Sequence, residues 1–257
     1  MTLEQLRQRW PVRELSVAGQ AVGVVQTEGA GLPVLWLPGA QGTAEIYFKQ
    51  LLAWGGQRTM VSLAYPAWTG GAELADFIVG LADSLALPRF DLVGTSLGGW
   101  IAQWVAARHP DRVHRLVIGN SFLDPAPAQS PDKLQALQQR SAEVVKAEVL
   151  ARIEAQPDSE LKAVQLELMG RGQSAESLRA RMLAVQLATP APPLGLPDER
   201  VLIVECDNDP LIPAPMRAAL RAGHPRARVA VVEGGGHYPY LLRPEAYNAA
   251  VGGFLGL

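Results

Sequence analysis

The chain has 257 residues, 48% of them hydrophobic and 19% charged, with a formal net charge of −2. This length and composition predict one large α/β domain with a substantial buried core and exclude a disordered chain. The small net charge, with no basic cluster, excludes a nucleic-acid surface, and the single cysteine, Cys206, excludes an intramolecular disulfide or a cysteine-based metal site. No run of about 18 apolar residues is present to span a membrane. The first seven residues are polar and amphipathic, unlike a secretion signal, so a cytoplasmic protein is expected.

In chain order, residues 13–17 and 21–27 read as two strands joined around Ala18-Gly19-Gln20, an opening hairpin. Pro33-Val34-Leu35-Trp36-Leu37 is short and wholly apolar, the pattern of a strand buried on both faces of a parallel sheet. A glycine-containing turn, Pro38-Gly39-Ala40-Gln41-Gly42, follows it. Residues 44–54 then read as a helix with Thr43 as N-cap, residues 59–64 as a strand and residues 73–85 as an amphipathic helix. A strand ending at Leu92-Val93, a helix over residues 100–107 and a strand over residues 115–120 continue the alternation. Such alternation implies a parallel sheet with right-handed crossovers. Between residues 121 and 190 no strand pattern occurs. Residues 133–153, 161–169 and 175–187 instead carry helical periodicity, expected to form a lid lying on the sheet. A proline-rich linker over residues 189–197 leads out of it. The strand–helix pattern then resumes with a strand at 201–205, a helix at 215–222, a strand at 228–233 and a closing helix at 244–255. The expected organisation is therefore a core of residues 1–120 and 191–257 with a helical lid of residues 121–190.

The chemistry centres on Gly94-Thr95-Ser96-Leu97-Gly98. G-x-S-x-G alone is a weak signal, but here it joins a buried strand to a helix. That context predicts a tight turn with Ser96 strained at its apex and the Leu97 amide at a helix N-terminus, where negative charge is favoured. An activated serine needs a base and a carboxylate to orient that base. Of the four histidines, His109 sits at a helix C-terminus, His114 precedes a strand and His224 stands before a proline in a surface-like loop. His237 alone follows a strand on a flexible loop, Gly234-Gly235-Gly236, and is the candidate base. For the carboxylate, Asp209 precedes Pro210 on the turn leaving residues 201–205. Asp207 is expected to bond within that turn, and Asp124 is a third choice. The order Ser96, Asp209, His237 is the chain order of an α/β-hydrolase triad.

From end to end the sequence resembles the α/β-hydrolase superfamily, and within it the maspardin-like branch. The residues that carry this are Leu37-Pro38-Gly39-Ala40-Gln41-Gly42-Thr43-Ala44, Leu92 to Gly99 around Ser96, Val113 to Phe122, and Gly235-Gly236-His237-Tyr238-Pro239-Tyr240-Leu241. The resemblance implies an α/β-hydrolase fold with a mostly parallel sheet flanked by helices. It also implies the triad above and an oxyanion hole from the backbone N–H groups of Leu97 and Ala40. Two departures stand out. Many superfamily members have His-Gly where this chain has Pro38-Gly39, which removes a side chain that buttresses the oxyanion loop. In eukaryotic maspardins the histidine is not kept and the role looks like binding or trafficking, whereas this chain has His237.

The expected activity is hydrolysis of a small-molecule carboxylic ester through an acyl-enzyme, without metal or cofactor. Trp68, Trp100 and Gln41 are candidate pocket residues, and Cys206 reads as a small buried thiol at a strand end. Other α/β-hydrolase chemistry (carbon–carbon hydrolase, aminopeptidase or perhydrolase) and a non-catalytic binding protein are the alternatives. Neither the substrate nor the oligomeric state is legible in the residues.

Overall fold

The computed structural model describes all 257 residues. Helix α1 (Leu3–Arg9) opens the chain and is fixed by a capping box: the Gln5 amide donates to Thr2 Oγ1 at 3.2 Å, and the Thr2 amide to Gln5 Oε1 at 2.9 Å. The core then runs β1 (Arg13–Val17), β2 (Gln20–Gln26), β3 (Val34–Leu37), α2 (Phe48–Trp54), β4 (Met60–Leu63), α3 (Gly71–Ser84), β5 (Phe90–Thr95), α4 (Leu97–Arg108) and β6 (Val113–Gly119). Four helices follow without a strand: α5 (Pro131–Gln139), α6 (Ala142–Glu154), α7 (Glu160–Arg171) and α8 (Ala175–Leu187). The chain finishes with β7 (Val201–Glu205), α9 (Ala214–Gly223), β8 (Arg228–Val231), α10 (Pro239–Leu242) and α11 (Pro244–Leu255). No helix is long and apolar enough to cross a membrane.

The eight strands form one sheet in the order β1-β2-β4-β3-β5-β6-β7-β8. The opening hairpin is antiparallel, as is its junction with β4, and every other pair is parallel. Every residue of β3, β5 and β7 is buried, which is why Val34–Leu37, Leu92–Val93 and Val201–Val204 are apolar runs. Alternate residues feed opposite faces. Leu35 and Leu37 pack with α3 and α4 on one side, whereas Val34 and Trp36 pack with α2 and α11 on the other. From β3 the chain winds outward to β4, then returns past β3 to form β5. The crevice between β3 and β5 is thus a topological switch point, and the loops leaving these two strands flank it at their carboxyl ends.

Several element boundaries differ from those expected. Residues 44–47 form turns, so α2 begins after Tyr47, and the Thr43 hydroxyl accepts from the Glu45 amide within those turns. The helix expected over 133–153 is two helices. Arg140 is extended, and the Ser141 hydroxyl caps a new helix by accepting from the Val144 amide. Helices α1 and α10 were not anticipated. Three of the four inserted helices, α6 to α8, share a small apolar cluster of their own, Val149, Ile153, Met169 and Leu178; Val164 and Leu168 pack into the core.

Candidate active site

Ser96 stands between β5 and α4 with φ 54° and ψ −123°, a left-handed backbone that a side chain adopts only under strain. The turn is held by the Ser96 amide donating to Gly119 O at 2.9 Å and by the Ser121 hydroxyl donating to Ser96 O at 2.7 Å. Glycine is required on both sides of the serine. A side-chain carbon at Gly94 would overlap the Gly98 carbonyl, and one at Gly98 would overlap the Leu37 carbonyl. The Leu97 amide is the first of α4 and so has no partner within the helix. Across the β3–β5 crevice lies the loop Pro38-Gly39-Ala40-Gln41-Gly42, whose Ala40 amide donates to no protein acceptor.

Asp209 and His237 approach from the next strands outward. The Asp209 carboxylate is buried on the turn after β7, where its Oδ1 accepts from the amides of Leu211 at 2.8 Å and Ile212 at 3.1 Å. Its Oδ2 accepts from Asn120 Nδ2 at 2.7 Å and lies 2.9 Å from His237 Nδ1. Burial alone would raise the Asp209 pKa. The bonds from His237, Asn120 and the Leu211 amide outweigh that effect and hold it below the ordinary carboxylate value. An ionised carboxylate only accepts, so His237 carries its proton on Nδ1 and leaves Nε2 as an acceptor. Gly234 and Gly236 take positive φ to turn the chain into position, and their amides donate to Asp207 Oδ1 and Asn208 Oδ1. Ser96 and His237 open onto the same cavity, about 630 Å³ in volume, with no direct hydrogen bond between them. A hydroxyl and an imidazole on one cavity, with a carboxylate behind the ring, is an arrangement that can pass a proton from the hydroxyl to the ring.

Residues 34–250 match the family described as "Alpha/beta hydrolase family". The chain belongs to that family. Maspardin of Homo sapiens is 29% identical over 229 residues, covering 85% of this chain and 73% of that protein. The Caulobacter sp. (strain K31) protein named "Putative carbamate hydrolase RutD" is 29% identical over 196 residues, 72% of each chain. Among solved structures, the enol-lactonase from Burkholderia xenovorans LB400 superposes with a TM-score of 0.78 at 17% identity, covering 95% of this chain and 100% of that one. The α/β-hydrolase fold and the nearness to the maspardin branch are both as the sequence motifs implied.

Other expectations meet the structure unevenly in this α/β hydrolase. Gln41 lines the cavity and accepts a 2.9 Å bond from the Tyr238 hydroxyl. Burial pushes the Tyr238 pKa up to about 12, so it remains a donor. Neither expected tryptophan lines the cavity. Trp100, in the first turn of α4, is buried and donates to Thr189 O at 2.9 Å, and Trp68 packs edge-on against Phe77. His224 is buried, not in a surface loop, with its Nδ1 3.7 Å from Asp198. Asp124 accepts from the Ala126 amide at 2.9 Å in a turn outside the cavity. Burial pushes the Cys206 thiol up to about 11, which keeps it protonated at neutral pH.

Two residues with evident positioning roles were missed. Asn120, at φ 39°, bridges Asp209 and the Gly236 carbonyl, the latter at 2.9 Å, so it ties the carboxylate to the histidine loop. Ser121 ties β6 to the Ser96 turn. Their one sequence signal is a polar pair at the carboxyl end of a buried strand. The Pro38–Gly42 loop, lacking the expected buttressing side chain, is braced through its carbonyls. Tyr65 donates to Pro38 O at 2.8 Å, Gln173 to Ala40 O at 3.2 Å, and Arg181 to Gly42 O. Gln173 and Arg181 both come from the helical insertion.

Proposed function

We propose that this protein is a serine hydrolase of carboxylic esters, with Ser96 as nucleophile, His237 as general base and acid, and Asp209 as the orienting carboxylate. The observation that carries this is the strained Ser96 sharing one cavity with a histidine whose other ring nitrogen is committed to a buried carboxylate. Backbone strain of this kind costs roughly 1–3 kcal/mol and persists where surrounding structure enforces it. Here the enforcing contacts all serve to present one hydroxyl.

In the first step Ser96 Oγ bonds to the acyl carbon while its proton passes to His237 Nε2. The carbonyl oxygen gains charge, which the amides of Leu97 and Ala40 stabilise by hydrogen bonding. Collapse of the tetrahedral intermediate breaks the ester C–O bond, and the alcohol leaves with the proton from His237. A water then attacks the acyl-enzyme, giving its proton to His237, and the acid departs as that proton returns to Ser96. One ester and one water become one acid and one alcohol. Arg181 and Gln173 act through the Pro38–Gly42 loop, holding it so that the Ala40 amide faces the oxyanion. Helices α5 to α8 serve as the lid, with α5, α6 and α8 lining the cavity and restricting water around the acyl group.

A panel of aryl esters of increasing acyl length, followed by phenol release, tests this reading. Turnover should occur and should be lost in Ser96→Ala. The similarity to maspardin gives the second reading, a binding protein that keeps only the fold. A well-folded protein that hydrolyses no ester would favour it.

A further inference from the structure

The lid as a whole is nearly balanced in charge: residues 121–190 hold eight Lys or Arg and nine Asp or Glu. Its charges are not distributed evenly. Those that line the cavity are Lys133, Arg140 and Arg152 against a single carboxylate, Glu148. Arg140 and Glu148 satisfy one another across 2.6 Å. Lys133 Nζ has no hydrogen-bond or ion-pair partner, and Arg152 uses only its Nε, donating to the Glu148 carbonyl at 3.2 Å. Two cations are therefore left over among the lid residues of a cavity that Ser96 and His237 also line. The lid also contributes apolar wall, including Leu137, Val145 and Met182.

A solvated helix face would show the mixed signs of the rest of the lid. Lys133 and Arg152 are themselves exposed, and surplus charge of one sign at the rim of a concave site attracts ligands of the opposite charge and selects among them. We propose that the preferred substrate of this site is an ester bearing a carboxylate beyond a short apolar spacer from the scissile carbonyl, and that Lys133 and Arg152 bind that carboxylate. The inference rests on the serine-hydrolase reading and names its substrate class.

The test compares two phenyl esters of equal chain length, monophenyl glutarate and phenyl pentanoate, which differ in a terminal carboxylate against a methyl group. The intact protein should show at least a tenfold higher kcat/KM for the glutarate at low salt. That preference should shrink as sodium chloride is added, because exposed charges such as these are screened over about 10 Å at 0.1 M. In Lys133→Ala/Arg152→Ala the ratio should fall to about one. Arg171→Ala removes a lid cation that lies outside the cavity and should retain the wild-type ratio. Equal or better turnover of the pentanoate by the intact protein, or a ratio unmoved in the double variant, overturns the proposal while leaving hydrolysis itself intact. Binding of the two esters to Ser96→Ala by calorimetry decides charge preference without turnover. Tighter binding of the glutarate, lost on removing Lys133 and Arg152, supports the proposal, and equal binding overturns it. Absence of turnover in the intact protein would instead count against the hydrolase reading.

Discussion

All four histidines of this chain face a carboxylate, yet only one of them opens onto the cavity. His109 lies 2.7 Å from Asp76, His114 lies 2.9 Å from Asp91 and His224 lies 3.7 Å from Asp198, so a His–Asp pair alone identifies nothing. What singles out His237 is the free ring nitrogen beside Ser96's cavity and the depth of support behind Asp209. That support was half legible. The proline-bounded turn pointed to Asp209 over Asp207, but nothing in the residues around Asn120 signalled that its amide would join Asp209 to the histidine loop. The link exists only through the register of β6 beside β7. Replacing Asp209 by Asn should lower kcat by on the order of 10³- to 10⁴-fold, the scale of losing the orienting carboxylate in other triads. Asp207→Asn removes only a bond to the Gly234 amide and should cost far less. Similar losses in the two variants would refute the assignment. The folded Asp209 has a lowered pKa, so its ionisation contributes stability present above the unfolded carboxylate value, about 3.9, and lost as pH falls through the lower folded value. The stability advantage of wild type over Asp209→Asn, measured by urea unfolding, should thus shrink below about pH 4. An advantage that grows with acid would reverse the sign.

Helices and strands with one strong local pattern were readable, and those defined by their surroundings were not. Strands β3, β5, β6 and β7 announce themselves by the apolar stretches Val34–Leu37, Leu92–Val93, Leu116–Ile118 and Val201–Val204, where both sheet faces are covered. The break at Arg140 was hidden because residues on both sides keep helical periodicity; the Ser141 cap is its only marker. Helix α10 has just four residues, too few to show a period. The brace on the Pro38–Gly42 loop was equally invisible, since Arg181 is 139 residues from Gly42 and belongs to the insertion. Arg181 is nearly fully buried with no carboxylate partner, its guanidinium lying 5.7 Å from the Tyr65 ring centroid. Burial pulls its pKa down to about 10, so it remains charged at neutral pH. Two effects oppose each other on removing it. The Gly42 carbonyl loses its donor, at about 1–3 kcal/mol, but an uncompensated buried charge disappears. Arg181→Met should therefore change stability by less than about 2 kcal/mol, while kcat falls roughly 10- to 100-fold at little change in KM as the Ala40 amide is no longer held. A proportionate loss in KM, with kcat unchanged, would mean that Arg181 shapes the pocket and leaves the oxyanion loop alone.

At the scale of the whole molecule, three loops leave the carboxyl ends of β5, β7 and β8 and meet beside the crevice where the winding reverses. The sheet supplies rigid anchors, the tight glycine turns aim the side chains, and the insertion lines part of the cavity onto which they open. The family was legible because this architecture leaves motifs at each anchor: the Ser96 turn, the Asp209 turn and the His237 loop. The cavity was not, because its walls come from helices packed across long sequence separations, and the expected tryptophans went into the core instead. The central claim is that this assembly makes one serine hydroxyl a nucleophile, which a fluorophosphonate probe tests without knowledge of the substrate. Mass spectrometry of the intact, folded protein after labelling should find one adduct per chain, on Ser96. It should be absent in Ser96→Ala and strongly slowed in His237→Ala. A folded protein that takes up no label, or takes it elsewhere and keeps it in Ser96→Ala, would contradict the account.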